Sequence, residues 1–384
     1  MSDFLNEDVI DFDNDASASS FGWNFQSNAG IFLFLHYIKD AECVKIESKL
    51  QDVEIDLRGG KKILAQAKSS VDPSQDSQKR EKFKDAIISI AKSTKKEPSA
   101  QMIYISNESD VFPSADKFFD CNVCSYNECI QQIKNEIDEA IDNTINSIQK
   151  KIDEINAKGK CTKKDEKRRC KCEEIKKLVL SLNKTNLFFS SIPRYYGSEQ
   201  NRYSEIKNKI SYFLSNILGF HTHQTIKILD RLFEHWHFIC EHNSTVKDIS
   251  KEISKADFIW PISVFLLQDV QYEIADCLSF PLEMSLEEDA EQIFNEYEMI
   301  YHERFEFSNK VLQNYYDFRK SLPPGTQNVE KEFVKVHGAD YLDEFRQESF
   351  DEKMLEYVTK AFVFRIVKNS KNLKDICPKV GLDI

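Results

Sequence analysis

Residues Glu47 to Ser70, ESKLQDVEIDLRGGKKILAQAKSS, constrain the fold more than any other stretch. Side chains in DVEIDL alternate, so Asp52, Glu54 and Asp56 share one face of an extended segment and Val53, Ile55 and Leu57 the other. Arg58-Gly59-Gly60 breaks the alternation with a Gly-Gly pair, a tight-turn signal between two strands. KILAQAKSS then alternates again, with Ile63, Ala65 and Ala67 on one face and Gln66 and Lys68 on the other. A hairpin in register brings Asp52 to the same side of one small sheet as Gln66 and Lys68.

That arrangement has a chemical reading. A carboxylate at the start of one strand, facing an acid-or-amide-x-Lys on its neighbour, can hold a divalent cation beside an ammonium group. Such a cation neutralises phosphate charge and acidifies a bound water. Glu47, five residues before Asp52, completes the cluster from the end of the preceding strand. Carboxylate and carbonyl oxygens suit Mg²⁺ or Mn²⁺. The plain alternative is a half-exposed hairpin whose charges face water, because the pattern is short.

At 384 residues the chain is long enough for two or three domains. Its 10 glycines and 9 prolines are few for that length and favour long helices over many turns. A net charge of −12 gives no global nucleic-acid signature, so binding to DNA would need a local basic surface, an oligomer or a partner. No run of about 18 apolar residues marks a membrane span. The acidic start, residues 1–20, has neither signal-peptide nor transit-peptide character and reads as a flexible tail. The 10 cysteines are too sparse for a disulfide scaffold and are expected as reduced thiols in the cytoplasm. Zinc at Cys121-x-x-Cys124 or Cys170-x-Cys172 is the alternative, with partners poorly placed at Cys129 and Cys161.

Along the chain, residues 21–39 form a first helix, with Phe25, Ile31, Phe32, Leu35 and Ile38 in an apolar stripe, Gln26 in its first turn and His36 as a core or rim histidine. A strand over 42–47, the two hairpin strands, an amphipathic helix over 80–94 and a buried strand over 100–106 follow. The order helix, three strands, helix, strand describes a compact α/β layer.

With Glu47, Asp52 and Gln66-x-Lys68 so placed, this order resembles the PD-(D/E)xK, restriction-endonuclease-like superfamily. FGWNFQ before the first helix, the E-x4-D spacing and QAKSS look like its Cap-type double-stranded DNA endonuclease branch, found on CD-NTase-linked effectors and on the nuclease subunit of Lamassu anti-phage systems. The resemblance covers about residues 20–120. It implies Mg²⁺- or Mn²⁺-dependent cleavage of DNA phosphodiesters, with Asp52, Gln66 and Glu47 at the metal, Lys68 at the attacking water and Gln26 as an accessory group. The acid of (D/E)-x-K is Gln66 here, a neutral ligand, which leaves open whether Glu54 supplies the missing charge.

The expected organisation is a tail (1–20), an α/β restriction-endonuclease-like domain (21–122), a long helix and basic loop (123–185) and a mainly α-helical docking or regulatory region (186–384). Isoleucines at 130, 133, 137, 141, 145, 148, 152 and 155 predict one long helix, either a coiled-coil arm or, the reading favoured, the first helix of a bundle. Residues 157–172 hold eight Lys or Arg in an expected loop. Lys163, Lys164, Lys167, Arg168 and Arg169 are either solvated or a phosphate-contacting tip. From 173 onward the pattern reads as helical throughout, broken at LPPGTQ (322–327). His235, His237, His242, His221 and His223 invite a metal reading, but histidines at i and i+2 point to different sides of a helix. DRLFEHWHFICE, STVKDISKEI and EYEMIYHERFEFSNK loosely resemble the helical C-terminal module of Lamassu-like and ABC-three-component effectors. That implies docking to an SMC- or ABC-type ATPase and a small adaptor, with a homo-oligomer as the active form.

Overall fold

A computed structural model describes residues 16–73, 79–158, 162–245, 252–267, 305–323, 325–344, 352–368 and 375–382. Among them, those up to Asn216 and from Phe233 to Lys255 make one compact unit, and those from Ile217 to Leu232 and from Ala256 onward a second.

The first unit is built on a mixed sheet of seven strands. Helix α1 (Ala16–His36) precedes β1 (Ala41–Ile46), β2 (Val53–Leu57) and β3 (Lys61–Lys68); then come α2 (Lys79–Lys96) and β4 (Gln101–Ser106). Strand β5 (Cys124–Ser125), α3 (Gln131–Asn156), α4 (Lys163–Leu180), β6 (Leu187–Ser191), α5 (Glu199–Tyr212), α6 (Thr222–Thr245) and β7 (Ile253–Ser254) follow. Across the sheet the order is β5-β6-β4-β3-β2-β1-β7. The hairpin pairs antiparallel, with Val53 opposite Ala65 and Asp56 opposite Lys62, whereas β3–β4 and β4–β6 are parallel.

The turn between β2 and β3 is one short helical turn over Arg58–Gly60, and Gly59 (φ 75) and Gly60 (φ 74) both sit in the left-handed region. A side chain there is disfavoured by about 1–2 kcal/mol, which is why the turn takes two glycines.

Each face of the sheet is covered by helices for a reason visible in its side chains. Leu64, Met102, Tyr104, Leu187 and Phe189 share a core with Phe83 and Ile87 of α2, Ile133, Ile137 and Ile141 of α3, and Cys172, Ile175 and Val179 of α4. The other face packs against α1. From Ser27 to Leu35 every residue of α1 is buried, so this helix is enclosed all round and not amphipathic. It approaches β1 and β2 so closely at Gly30 that a Cβ there would collide with Ile46 Cδ1. Polar groups of α1 find partners instead: Asn24 donates to Glu241 at 3.1 Å and bonds His237 at 3.0 Å, and Asn28 donates to the Asn24 carbonyl at 2.7 Å.

Several boundaries differ from expectation. Residues 16–20 belong to α1, so the described part of the expected tail is helical. Neither 122/123 nor 185/186 is a structural break, because β5 and β6 extend the same sheet and β7 closes its far edge on β1. The region after 173 is not wholly helical: NLFFSS contributes β6, a central parallel strand. Residues 163–172, expected as loop, begin α4; Thr162 accepts from the Asp165 backbone while Asp165 accepts from Thr162, a capping box that starts the helix there. The isoleucine helix is a bundle element, packed on α4 and α2, with only Ile130 strongly exposed at 54%.

In the second unit, α7 (Lys255–Leu267), α8 (Phe305–Ser321), α9 (Val329–His337) and α10 (Glu352–Lys368) are helical, and Ala361, Phe362, Val363, Phe364, Ile366 and Val367 of the AFVFRIV stretch are buried in α10. Tyr315 and Phe318 of α8 pack edge-on to Phe333 of α9. STVKDIS beyond 245 and EYEMIYHE lie outside the described residues.

Candidate active site

Asp52 sits where the β2–β3 ladder ends. Its carboxylate accepts from the Ala67 backbone N–H at 2.9 Å, standing in for the next main-chain acceptor of β2. The Gln66 side-chain amide donates to the same oxygen, and the Gln26 amide also donates to this carboxylate, from the middle of α1 and not from its first turn, because the helix already begins at Ala16. Register explains the first meeting: with Val53 opposite Ala65, the preceding residue of β2 falls opposite Gln66. Gln66 is buried, at 5% exposure.

Glu47 terminates β1 in a left-handed conformation (φ 56), and its N–H donates to the Asp52 carbonyl at 2.7 Å. A non-glycine residue held there costs about 1 kcal/mol, a strain found preferentially at functional positions. Ser48 secures this turn by accepting from the Leu50 and Gln51 N–H groups, each at 3.1 Å. The Glu47 side chain is exposed and lies within electrostatic reach of Asp52.

Lys68 is the last residue of β3, half-buried, two residues beyond Gln66 on the same face. It lies within electrostatic reach of Asp52 and of Asp85 on α2, and forms no ion pair among the described residues. Burial pushes the Asp52 carboxyl up to about 6; Lys68 opposes the shift, Glu47 adds to it, and the donors from Ala67 and Gln26 oppose it.

One further observation bears on whether these residues could take a hard divalent cation. Gln26 Oε1 is buried and accepts no hydrogen bond. Both amides now present N–H groups to Asp52; a half-turn of each would exchange donor for oxygen and leave only oxygen atoms, from Asp52, Glu47, Gln66 and Gln26, to offer a cation.

Glu54 does not join this group. It is buried, bound to Lys62 at 2.5 Å and approached by Lys45 at 3.8 Å. Lys62 also pairs with Asp56 at 2.9 Å, and Lys45 with Asp56 at 3.3 Å and Glu252 at 2.9 Å. Cys43, Asp56 and Glu252 are close enough to share a cation, but Lys45 and Lys62 already neutralise those carboxylates. Among the described residues no such trio occurs around Cys121, Cys124 and Cys129, around Cys170 and Cys172, or among the α6 histidines. The described cysteines are free thiols. His36 is exposed at the end of α1.

Lys163, Lys164 and Lys167 are exposed on the first turns of α4, while Arg168 and Arg169 are half-buried and Arg169 lies 3.8 Å from Glu173. Sequence reasoning missed the supports of the β3 end. Asn107, buried after β4, accepts from Ser70 N at 2.8 Å and donates to the Ser70 carbonyl at 2.7 Å and the Tyr195 carbonyl at 2.8 Å. Lys82 donates to the Ser69 carbonyl at 3.0 Å and to Ser70 Oγ at 2.5 Å. The available signal was the polar SNE directly after the apolar run MIYI, at the carboxyl end of a parallel strand. Asp85 was also missed, being one surface acid on an amphipathic helix.

Comparison with protein-family models, with curated proteins and with solved structures finds no match.

Proposed function

We propose that this chain is a metal-dependent DNA endonuclease of restriction-endonuclease-like architecture. The observation that carries the reading is the convergence of Asp52, Gln66, Glu47 and Gln26 at the end of the β2–β3 hairpin, with Lys68 beside them. The group supplied by solvent is Mg²⁺ or Mn²⁺, which screens phosphate charge and acidifies a bound water. Asp52 and Glu47 would hold it by their carboxylates and Gln66 and Gln26 by their amide oxygens. Lys68 places an ammonium where it can orient the attacking water or donate to a non-bridging phosphate oxygen as charge develops. The Ala67 N–H holds the Asp52 carboxylate in place, so a cation bound there would have one fixed ligand.

The resemblance of the hairpin and of the C-terminal helices to Lamassu-like effectors supports a wider reading. In it the chain is a cytoplasmic anti-phage nuclease, restrained by an SMC- or ABC-type ATPase and a small adaptor, and active as a homo-oligomer after release. Double-strand cleavage needs two sites facing opposite strands, and an unrestrained nuclease would cut its host chromosome. A second reading, a catalytically inactive scaffold subunit of an ATPase complex, draws on the neutral Gln66 and the charge of −12.

Purified full-length protein with supercoiled plasmid and Mg²⁺ or Mn²⁺, alone and with neighbouring gene products, separates the two. The nuclease reading expects linear product from the parent and none from Lys68→Ala. Equal cutting by both, or no cutting under any condition, overturns it.

A further inference from the structure

The turn that carries both carboxylates of the candidate site is fastened to α2 by buried polar side chains. Its ends, Glu47 and Asp52, meet through their backbones at 2.7 Å, and Leu50 and Gln51 lie between them. Leu50 packs its side chain against the core that α2 shares with α3 and α4. The Leu50 carbonyl accepts from Ser93 Oγ at 2.7 Å, and Gln51 Nε2 donates to the same Ser93 oxygen at 3.0 Å. Ser89, one turn back on α2, donates to Gln51 Oε1 at 3.4 Å. The Gln51 carbonyl accepts from Ser48 Oγ at 3.0 Å, so main chain and side chain of Gln51 are held from opposite directions.

Gln51 and Ser93 are each 4% exposed, so their bonds are not exchanged for bonds to water. A buried amide without partners is costlier than one that never left solvent, and this gives the Gln51 side chain a single place to go. The same helix grips the other half of the site. Lys82 donates to the Ser69 carbonyl at 3.0 Å and to Ser70 Oγ at 2.5 Å, directly after Lys68. Lys82, Ser89 and Ser93 are spaced by seven and four residues and line one stripe of α2. One rigid element therefore backs both the acidic turn and the strand end that carries the lysine.

We propose that Gln51 is a positioning residue: gripped by Ser93 and Ser89 of α2, it sets where the Asp52 carboxylate stands relative to Glu47 and Gln66. Gln51 touches neither cation nor substrate. It acts through its neighbour in the chain, holding two like-charged side chains at the spacing a cation needs before the cation arrives. The inference rests on the metal-dependent reading for its effect on activity, but the placement of Asp52 is measured without metal. The Ala67 N–H, which donates to the Asp52 carboxylate at 2.9 Å, reports that placement, and the Glu47 N–H reports closure of the turn.

Amide hydrogen exchange on the full-length chain in EDTA compares the parent with Gln51→Met, which keeps the length of the side chain and removes its hydrogen bonds, and with Ser93→Ala. Exchange at Glu47 and Ala67 should speed up at least about 10-fold in both variants, while Ile55 and Ile63, opposite each other inside the ladder, keep parental rates. The double variant should exchange no faster than the quicker single, because both changes break one linkage. Binding of Mn²⁺, read from the EPR signal of the free ion, should weaken at least about 10-fold in each variant. At saturating Mn²⁺ the single-turnover rate on plasmid should return to within about 3-fold of the parent's, a split that general loss of structure does not produce. Gly60→Ala, which weakens the same hairpin at its far end, should keep the parental Mn²⁺ affinity. Parental exchange at Glu47 and Ala67 in a folded variant, acceleration spread equally to Ile55 and Ile63, or local acceleration with parental Mn²⁺ affinity each overturn the assignment. If Gln51→Met does not fold, Ser93→Ala, which removes one hydroxyl, decides alone. A parent that binds no Mn²⁺, or binds it and leaves plasmid uncut, removes the nuclease reading instead, and exchange in EDTA then judges Gln51 by itself.

Discussion

Asp52 is a carboxylate whose proton is held up to about pH 6 against an ordinary 3.8, chiefly by burial. The folded state therefore binds that proton more tightly than the unfolded chain, and stability falls as pH rises from about 4 through 6, then levels off. Asp52→Asn removes the buried charge. It should match the parent near pH 4 and exceed it by about 1–2 kcal/mol at pH 8, after discounting for partial exposure; urea melts at both pH values check this. Mn²⁺ should raise the Tm of the parent and leave that of Asp52→Asn unchanged, as thermal melts with and without the ion would show. Lys68→Ala should leave Tm unchanged and lower the cleavage rate by at least about 10²-fold, read by single-turnover kinetics.

At the scale of elements, the hairpin was legible because its information is local. Alternation fixes which side chains share a face, two glycines fix the turn, and the pairing of Asp52 with Gln66 follows from both. What was not legible came from long range. NLFFSS reads as a short apolar run; only its position beside β4, about eighty residues earlier, makes it a strand. Glu54 shares a face with Asp52, and alternation alone cannot show that Lys45 and Lys62 claim its charge. Gly60→Ala has open space around its Cβ, so the change tests the backbone alone, and equilibrium unfolding should show a loss of about 1–2 kcal/mol. Phe83→Ala removes the ring that joins α2 to Tyr104, Phe112 and Phe189, and the same measurement should show about 3–5 kcal/mol.

On the scale of the whole molecule, one sheet gathers segments from residue 41 to residue 254. Replacing 130–182 with a short linker would strip α3 and α4 from the core they share with Phe83, Ile87 and Phe189, and the product should aggregate, as light scattering during refolding would show. The edge strand β1 is capped late in the chain: Ser254 and Ile253 pair with Cys43 and Val44, and Asn243 accepts from the Ile46 N–H at 2.8 Å. During synthesis, a ribosome must therefore extend roughly two hundred residues past Glu47 before that border is sealed, since unpaired strand edges stay adhesive until covered. Translation order thus imposes a delay: a prematurely ended product carries every side chain of the hairpin cluster yet leaves its flank open.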